Sequence, residues 1–244
     1  MYQEITPLAP LNRFIDAFWH YSNSGSGDET IIYPDCCADL IFLKDSSSTS
    51  SYVTGVMTNP KPVGISTPAT YIGVRFKPGF AKLFIDNPLS DFTDQTIPFS
   101  AKSSESAFFN VVHSDVATAH ELFTALGSFL FNRLANTHSF ALEKKIRHIA
   151  SLRDCRVTEM ADALGTSRRT LHRLFLEHFG LSPTQYSNIK RFDRFRKVVR
   201  SKEFTSLADL AIACGYYDQS DMTNHVRKIS GKTPGAFLSQ LYKT

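Results

Sequence analysis

The sequence predicts an α+β chain: a β-rich N-terminal domain that ends in helices, then an all-α C-terminal domain. Three observations predict it. Residues 1–100 alternate short apolar runs with clusters of turn-forming residues. From Phe140 onward the apolar positions recur only at helical spacing. Charge divides along the same line. Residues 139–244 hold 19 Lys and Arg against 10 Asp and Glu, a net +9, whereas residues 1–138 hold 8 against 13, a net −5. A basic half behind an acidic one indicates two domains, one of them facing a polyanion. The polar stretch Asn136–Ser139 sets the boundary, giving domains 1–137 and 138–244.

Expected strands are Phe18–Tyr21, Thr30–Tyr33, Ala38–Leu43, Tyr52–Met57, Val63–Ser66 and Ala69–Phe76, separated by turns rich in Ser, Asn, Pro and Gly. They suit either a cupin-like barrel or a smaller α+β domain. Phe80–Ile85 reads as a short helix. Residues 104–135 read as helix, broken near Ser114 or Gly127, with a stripe that includes Phe108, Leu122, Phe123, Leu126 and Leu130. That stripe must pack mostly on the strands; what is left over leaves homodimer formation open.

The C-terminal part repeats itself. Val157, Met160, Ala161, Leu164 and Gly165 recur fifty residues later as Leu207, Leu210, Ala211, Cys214 and Gly215. After one inserted residue, Ser167, Leu171, Phe175, Gly180, Pro183 and Tyr186 recur as Asp218, Met222, Val226, Gly231, Pro234 and Phe237. Each copy is a short helix, a glycine turn, and a second helix opened by a capping residue, Ser167 or Asp218. Ser182-Pro183 and Thr233-Pro234 then start further helices as N-cap and first position. Two helix-turn-helix units joined by one long helix, Pro183–Arg200, would place their second helices on successive major grooves if these sit about 34 Å apart.

Periodicity assigns the faces. Leu171, Leu174 and Phe175 turn inward in the first such helix, leaving Arg168, Arg169, His172 and Arg173 outside. In the second, Met222, Val226 and His225 turn inward and Gln219, Ser220, Thr223 and Asn224 outward. Arginine bonds guanine O6 and N7 in a fork, and Gln or Asn does the same for adenine, so these eight are the candidate DNA-binding residues.

The stretch VTEMADALGTSRRTLHRLFLEHF, then GLSPTQY, then LADLAIACGYYDQSDMTNHVRKISGKTPGAF, resembles the DNA-binding domain of AraC/XylS-type transcription regulators over about 100 residues. The resemblance implies base contacts from Arg169, His172 and Arg173 and from Gln219, Ser220, Thr223 and Asn224. This sequence departs from the pattern at Asn224, where Arg is usual, at Val226, where an aromatic is usual, and at Asp221, which adds negative charge near the groove. The second unit is therefore expected to read DNA more weakly than the first. YIGVRFKPGFAKLF (Tyr71–Phe84) with Phe18-Trp19 resembles sensor-like domains found ahead of such modules.

In that first domain Trp19, Tyr33 and Tyr71 can line a pocket or fill core, and Arg75 can bind an anionic ligand or partner an acid of its own domain. His20, His113, His120 and His138 lack metal-ligand spacing. Cys36, Cys37, Cys155 and Cys214 fit no zinc pattern and read as free thiols, with Asp35 and Asp39 disfavouring reactivity at the first pair. No G-x-S-x-G frames a nucleophile. Neither enzyme activity nor a cofactor or metal is expected.

With 42% hydrophobic and 20% charged residues, no apolar run of membrane length and no secretion signal, the expectation is a soluble cytoplasmic protein. It is read as a sequence-specific regulator on promoter DNA, modulated by a small-molecule effector, with RNA polymerase a further partner. The alternatives are a constitutive DNA-binding module whose first domain makes protein contacts, and a DNA-modifying enzyme, for which no catalytic cluster is found.

Overall fold

Alternation in the first hundred residues becomes a sheet with one buried face. The computed structural model describes residues 2–23, 29–45, 49–64, 68–99, 118–137, 140–152 and 156–241. Six antiparallel strands run in the order β1 (Tyr2–Ile5), β2 (Ile15–Asn23), β7 (Ala69–Phe76), β4 (Asp39–Lys44), β5 (Thr49–Thr54) and β8 (Thr96–Pro98). A separate ribbon pairs β3 (Glu29–Ile32) with β6 (Lys61–Gly64). Register carries the core across the sheet. Phe18 lies opposite Val74, Val74 opposite Leu40, and Leu40 opposite Val53, and all four are buried. On the other face Trp19 lies opposite Gly73, where a Cβ would fall 2.0 Å from the indole Cε2, so only glycine admits that ring.

The inner face is covered by α1 (Ala119–Thr137), which buries Leu122, Phe123, Leu126, Phe129, Leu130 and Leu134. The Phe123 ring stacks on Phe18 at 6.1 Å. The helix runs unbroken through Gly127, contrary to the expected break there. A Cβ at Gly127 would lie 3.9 Å from Phe18 and 4.0 Å from Leu11, so this turn of the helix packs toward both, and the glycine's roughly 1 kcal/mol helix penalty does not break it. The other expected break, Ser114, and the upstream positions of the stripe lie outside the described residues. Phe80–Ile85 forms a single 3-10 turn, Ala81–Leu83, rather than an α-helix.

The helices continue as α2 (Phe140–Ser151), α3 (Val157–Ala163), α4 (Arg168–Phe179), α5 (Pro183–Ser201), α6 (Leu207–Ala213), α7 (Gln219–Ser230) and α8 (Pro234–Leu241). Their cores divide unequally. Met160, Leu171, Phe175, Phe179, Tyr186 and Ile189 belong to the same apolar cluster as the sheet. Phe192, Phe195, Leu210, Met222, Val226 and Phe237 form a second cluster of their own. So the α3–α4 pair is fused to the N-terminal core, and the α6–α7 pair is not.

Polar contacts follow the fused seam. Glu143 of α2, 2% exposed, accepts hydrogen bonds from Arg13 and Arg147, each at 2.7 Å. The Thr93 hydroxyl donates to the Gly180 carbonyl at 2.5 Å.

Candidate nucleic-acid interface

The two helical pairs are built alike because their sequences repeat. In the first, α3 ends at Leu164, the chain turns through Gly165 at φ +58°, and Ser167 opens α4 by accepting the Thr170 N–H at 3.1 Å. In the second, α6 is capped by Cys214, Gly215 turns at φ +79°, and Asp218 opens α7 by accepting the Asp221 N–H at 2.8 Å. Each second helix stops at a left-handed glycine, Gly180 or Gly231. The next helix begins at Pro183, where Ser182 and Gln185 cap each other, or at Pro234, where Thr233 accepts the Ala236 N–H.

This construction presents the expected side chains. Arg168, Arg169, His172 and Arg173 are exposed on α4, while Leu171 and Phe175 are fully buried behind them. Gln219, Ser220 and Asn224 are exposed on α7, and Thr223 is half-buried with its hydroxyl donated back to the Gln219 carbonyl at 2.8 Å. At 1.5 Å per residue, the 19 residues of α5 between the pairs span about 28 Å. The N-terminal domain meets α4 near its C-terminal end through the 3-10 turns between β7 and β8, where Gly180 and Phe179 touch Leu89, Thr93 and Gly79. It therefore leaves the opposite, N-terminal end of α4 uncovered.

Behind α7 a polar cluster ties the helix to α5. Arg191 lies over the Tyr216 ring at 5.5 Å and 4.0 Å from the Asp221 carboxylate. The Tyr216 hydroxyl meets His225 Nδ1 at 2.8 Å. Burial, with Arg191 beside it, lowers His225 to about 4, so it is neutral at pH 7. Asp221, which reads in sequence as stray negative charge at the groove, accepts the Tyr217 N–H at 3.2 Å and faces Arg191. Tyr217 itself was not legible as part of this surface. It is 92% exposed, just before Gln219. The available signal was the Tyr216-Tyr217 pair, of which only one ring can be core.

The four aromatic and arginine residues singled out in the first domain do not form one group. Trp19 donates its indole N–H to Asp39 at 3.0 Å, and Arg75, directly across from Asp39, lies 3.6 Å from that carboxylate and 4.0 Å from Asp35. Burial pushes Asp39 up to about 6 despite Arg75 and also raises Asp35. Burial raises the thiols of Cys36 and Cys37 as well. The Tyr71 ring lies tilted beside Tyr21 at 6.2 Å. Tyr33 lies elsewhere, against Phe192 of α5 and Phe237 of α8. Of the histidines, His20 and His120 are described, and His113 and His138 lie outside the described residues, as does Cys155.

Residues 160–240 match a family model described as a helix-turn-helix domain, and residues 3–98 match one described as a domain of unknown function, DUF6597. The repeat, the paired caps and this match fall on the same stretch. Residues 160–240 form a helix-turn-helix domain. Over 75 residues the chain is 33% identical to the HTH-type transcriptional activator RhaS of Escherichia fergusonii, an alignment that covers 31% of this chain and 27% of that protein. The RhaS of Pectobacterium carotovorum is 29% identical over 83 residues, 34% of this chain and 29% of the relative. The chain thus spans less than a third of the curated relatives it matches. Among solved structures, ToxT from Vibrio cholerae aligns over 92% of this chain and 97% of its own, at 15% identity and TM-score 0.46. An AraC-type regulator from Chromobacterium violaceum aligns over 42% of this chain and 96% of its own, at 24% identity and TM-score 0.36. No helix among the described residues is long and apolar enough to cross a membrane.

Proposed function

We propose that this chain is a sequence-specific, DNA-binding regulator of transcription. Residues 138–244 dock on promoter duplex by inserting α4 and α7 into successive major grooves, and residues 1–137 adjust that docking in response to a small-molecule effector. One observation carries the reading. Two helices equivalent by repeat both expose their N-terminal outward faces, with fork-forming Arg on one and amides on the other, at the two ends of one rigid helix. Arg168, Arg169, His172 and Arg173 contact the first half-site; Gln219, Ser220, Thr223 and Asn224 contact the second.

A constitutive binder is favoured by a different observation, the continuous core between the sheet and the α3–α4 pair. A fused seam of that kind holds the first unit fixed against the sheet. It leaves the second unit, with its separate core, as the part an effector can reposition.

Titration of the full chain against duplex DNA over a range of salt tests the docking. Each phosphate contact adds about −0.9 to the slope of log affinity against log salt. Removal of Arg169 should lower affinity for a preferred duplex and leave affinity for random duplex nearly unchanged. Equal loss on both duplexes would make Arg169 a backbone contact and defeat the assignment.

A further inference from the structure

A cavity of about 260 Å³ opens where β3 meets α5 and α8, lined by Ile31, Tyr33, Arg196, Arg200, Phe237 and Gln240 among others. Arg196 and Arg200 are one turn apart on α5, so their guanidiniums share a face and repel each other. Burial and the neighbouring Arg200 both make Arg196 easier to deprotonate than a free arginine. The nearest acids serve other cations. Asp193 pairs with Lys197 at 2.9 Å, and Asp35 lies 4.0 Å from Arg75. Among the described residues neither Arg196 nor Arg200 has a carboxylate at ion-pair distance. The Tyr33 hydroxyl is buried and without a hydrogen-bond partner among the described residues. Its ring is fixed by Phe237 at 5.2 Å, Phe192 at 5.9 Å and the Arg196 guanidinium at 5.6 Å. Two neighbouring cations with no carboxylate beside them call for an anion, and the Ile31 and Phe237 walls call for an apolar body.

We propose that this cavity is a binding site for a small organic anion, a carboxylate or phosphate ester, held by Arg196 and Arg200 beside the Tyr33 ring. At about 30 Å³ per water, the space holds roughly nine waters, which fits a ligand of about nine to twelve non-hydrogen atoms. Tyr33 touches both the linking helix and the last helix of the second unit. An anion in the cavity therefore pins β3 to α5 and α8 and fixes the unit whose core is otherwise separate. That regulatory consequence rests on the effector-modulated reading above, whereas the site itself does not.

The experiment is calorimetric and thermal-shift titration of the full chain with benzoate, phenyl phosphate, inorganic phosphate and neutral benzamide. Saturable binding of benzoate or phenyl phosphate is expected, with benzamide at least about tenfold weaker, the equivalent of one lost charge-assisted contact. The carboxylate and phosphate probes separate the two sources of the anion. Arg200→Gln, on a solvent-facing helix position, should weaken it about tenfold without lowering the ligand-free melting temperature.

No saturable binding by any of the three anions at about 10 mM, weaker than any useful affinity, would overturn the site. So would equal binding to the Arg196→Gln, Arg200→Gln double variant, or a uniform loss of DNA affinity in that variant with no anion bound, which would give the guanidiniums to the DNA backbone. Anion binding that leaves affinity for a preferred duplex unchanged would uphold the site and overturn the effector reading alone.

Discussion

The Arg13 guanidinium and the Glu143 carboxylate, 130 residues apart in sequence, meet at 2.7 Å with the carboxylate 2% exposed. Arg147 shares the same oxygen and donates a second hydrogen bond to the Arg13 carbonyl at 2.8 Å. The first turn of the N-terminal domain is thereby fastened to the helix that leads into the first helix-turn-helix unit. Glu143→Ala should cost about 2 kcal/mol, less than a fully buried pair because both arginines can return to water. Urea unfolding of the variant checks it, and an unchanged midpoint would refute the fastening.

Gly180 and Gly231 hold equivalent places and nearly the same backbone angle, φ +66° and +72°. A Cβ at Gly231 meets nothing within 4 Å, whereas one at Gly180 falls 2.9 Å from the Leu89 carbonyl oxygen. Gly231→Ala should therefore cost only the left-handed penalty, about 1 kcal/mol. Gly180→Ala should cost at least about 1 kcal/mol more, because backbone must move. Equal losses would mean that the 3-10 turn at Leu89 does not bear on the end of α4.

His225 gives a pH signature. Its folded value, about 4, lies below the ordinary 6.5. Between these two values the unfolded chain binds the extra proton, so this residue's contribution is present above pH 6.5 and lost as pH falls toward 4. Because the side chain is only partly buried, the loss should be about 1–2 kcal/mol. Stability measured against a His225→Gln variant should show the wild-type advantage shrinking over that window. Asp39, raised to about 6, works in the opposite sense: it favours the folded chain at low pH, and that contribution is lost as pH rises through 6. For this reason the difference between variants, rather than the total, is the quantity to follow.

Much of the C-terminal architecture could be read directly from the sequence, because its signals are local. The repeat fixed the glycine turns, Ser167 and Asp218 cap as expected, and the long helix ends at Ser201, one residue past its expected end. In the sheet, β1 escaped notice because all four of its residues are exposed and carry no alternation, and β8 because it is three residues ending in proline. Neither edge strand needs an apolar face. The seam was invisible for a different reason. Glu143, Gly180 and Tyr33 each act on residues at least 87 positions away, and nothing in a helical stripe says which neighbour will cover it. Tyr33 was legible as an aromatic near a strand, but not as the ring that touches the second unit.

At the proposed DNA face, Arg169→Ala should lose about 1–3 kcal/mol on a preferred duplex. Asn224→Ala should lose less, since a single amide replaces the arginine usual at its position. A larger loss from Asn224 would reverse the expected ranking of the two units.

Selection of preferred sequences from random duplex DNA by the full chain, alongside Arg169→Ala, tests the central claim most directly. Two enriched half-motifs about one helical turn apart, with the one read by α4 erased in the variant, are the predicted result. One short motif, or none, would contradict docking by both units on a single duplex.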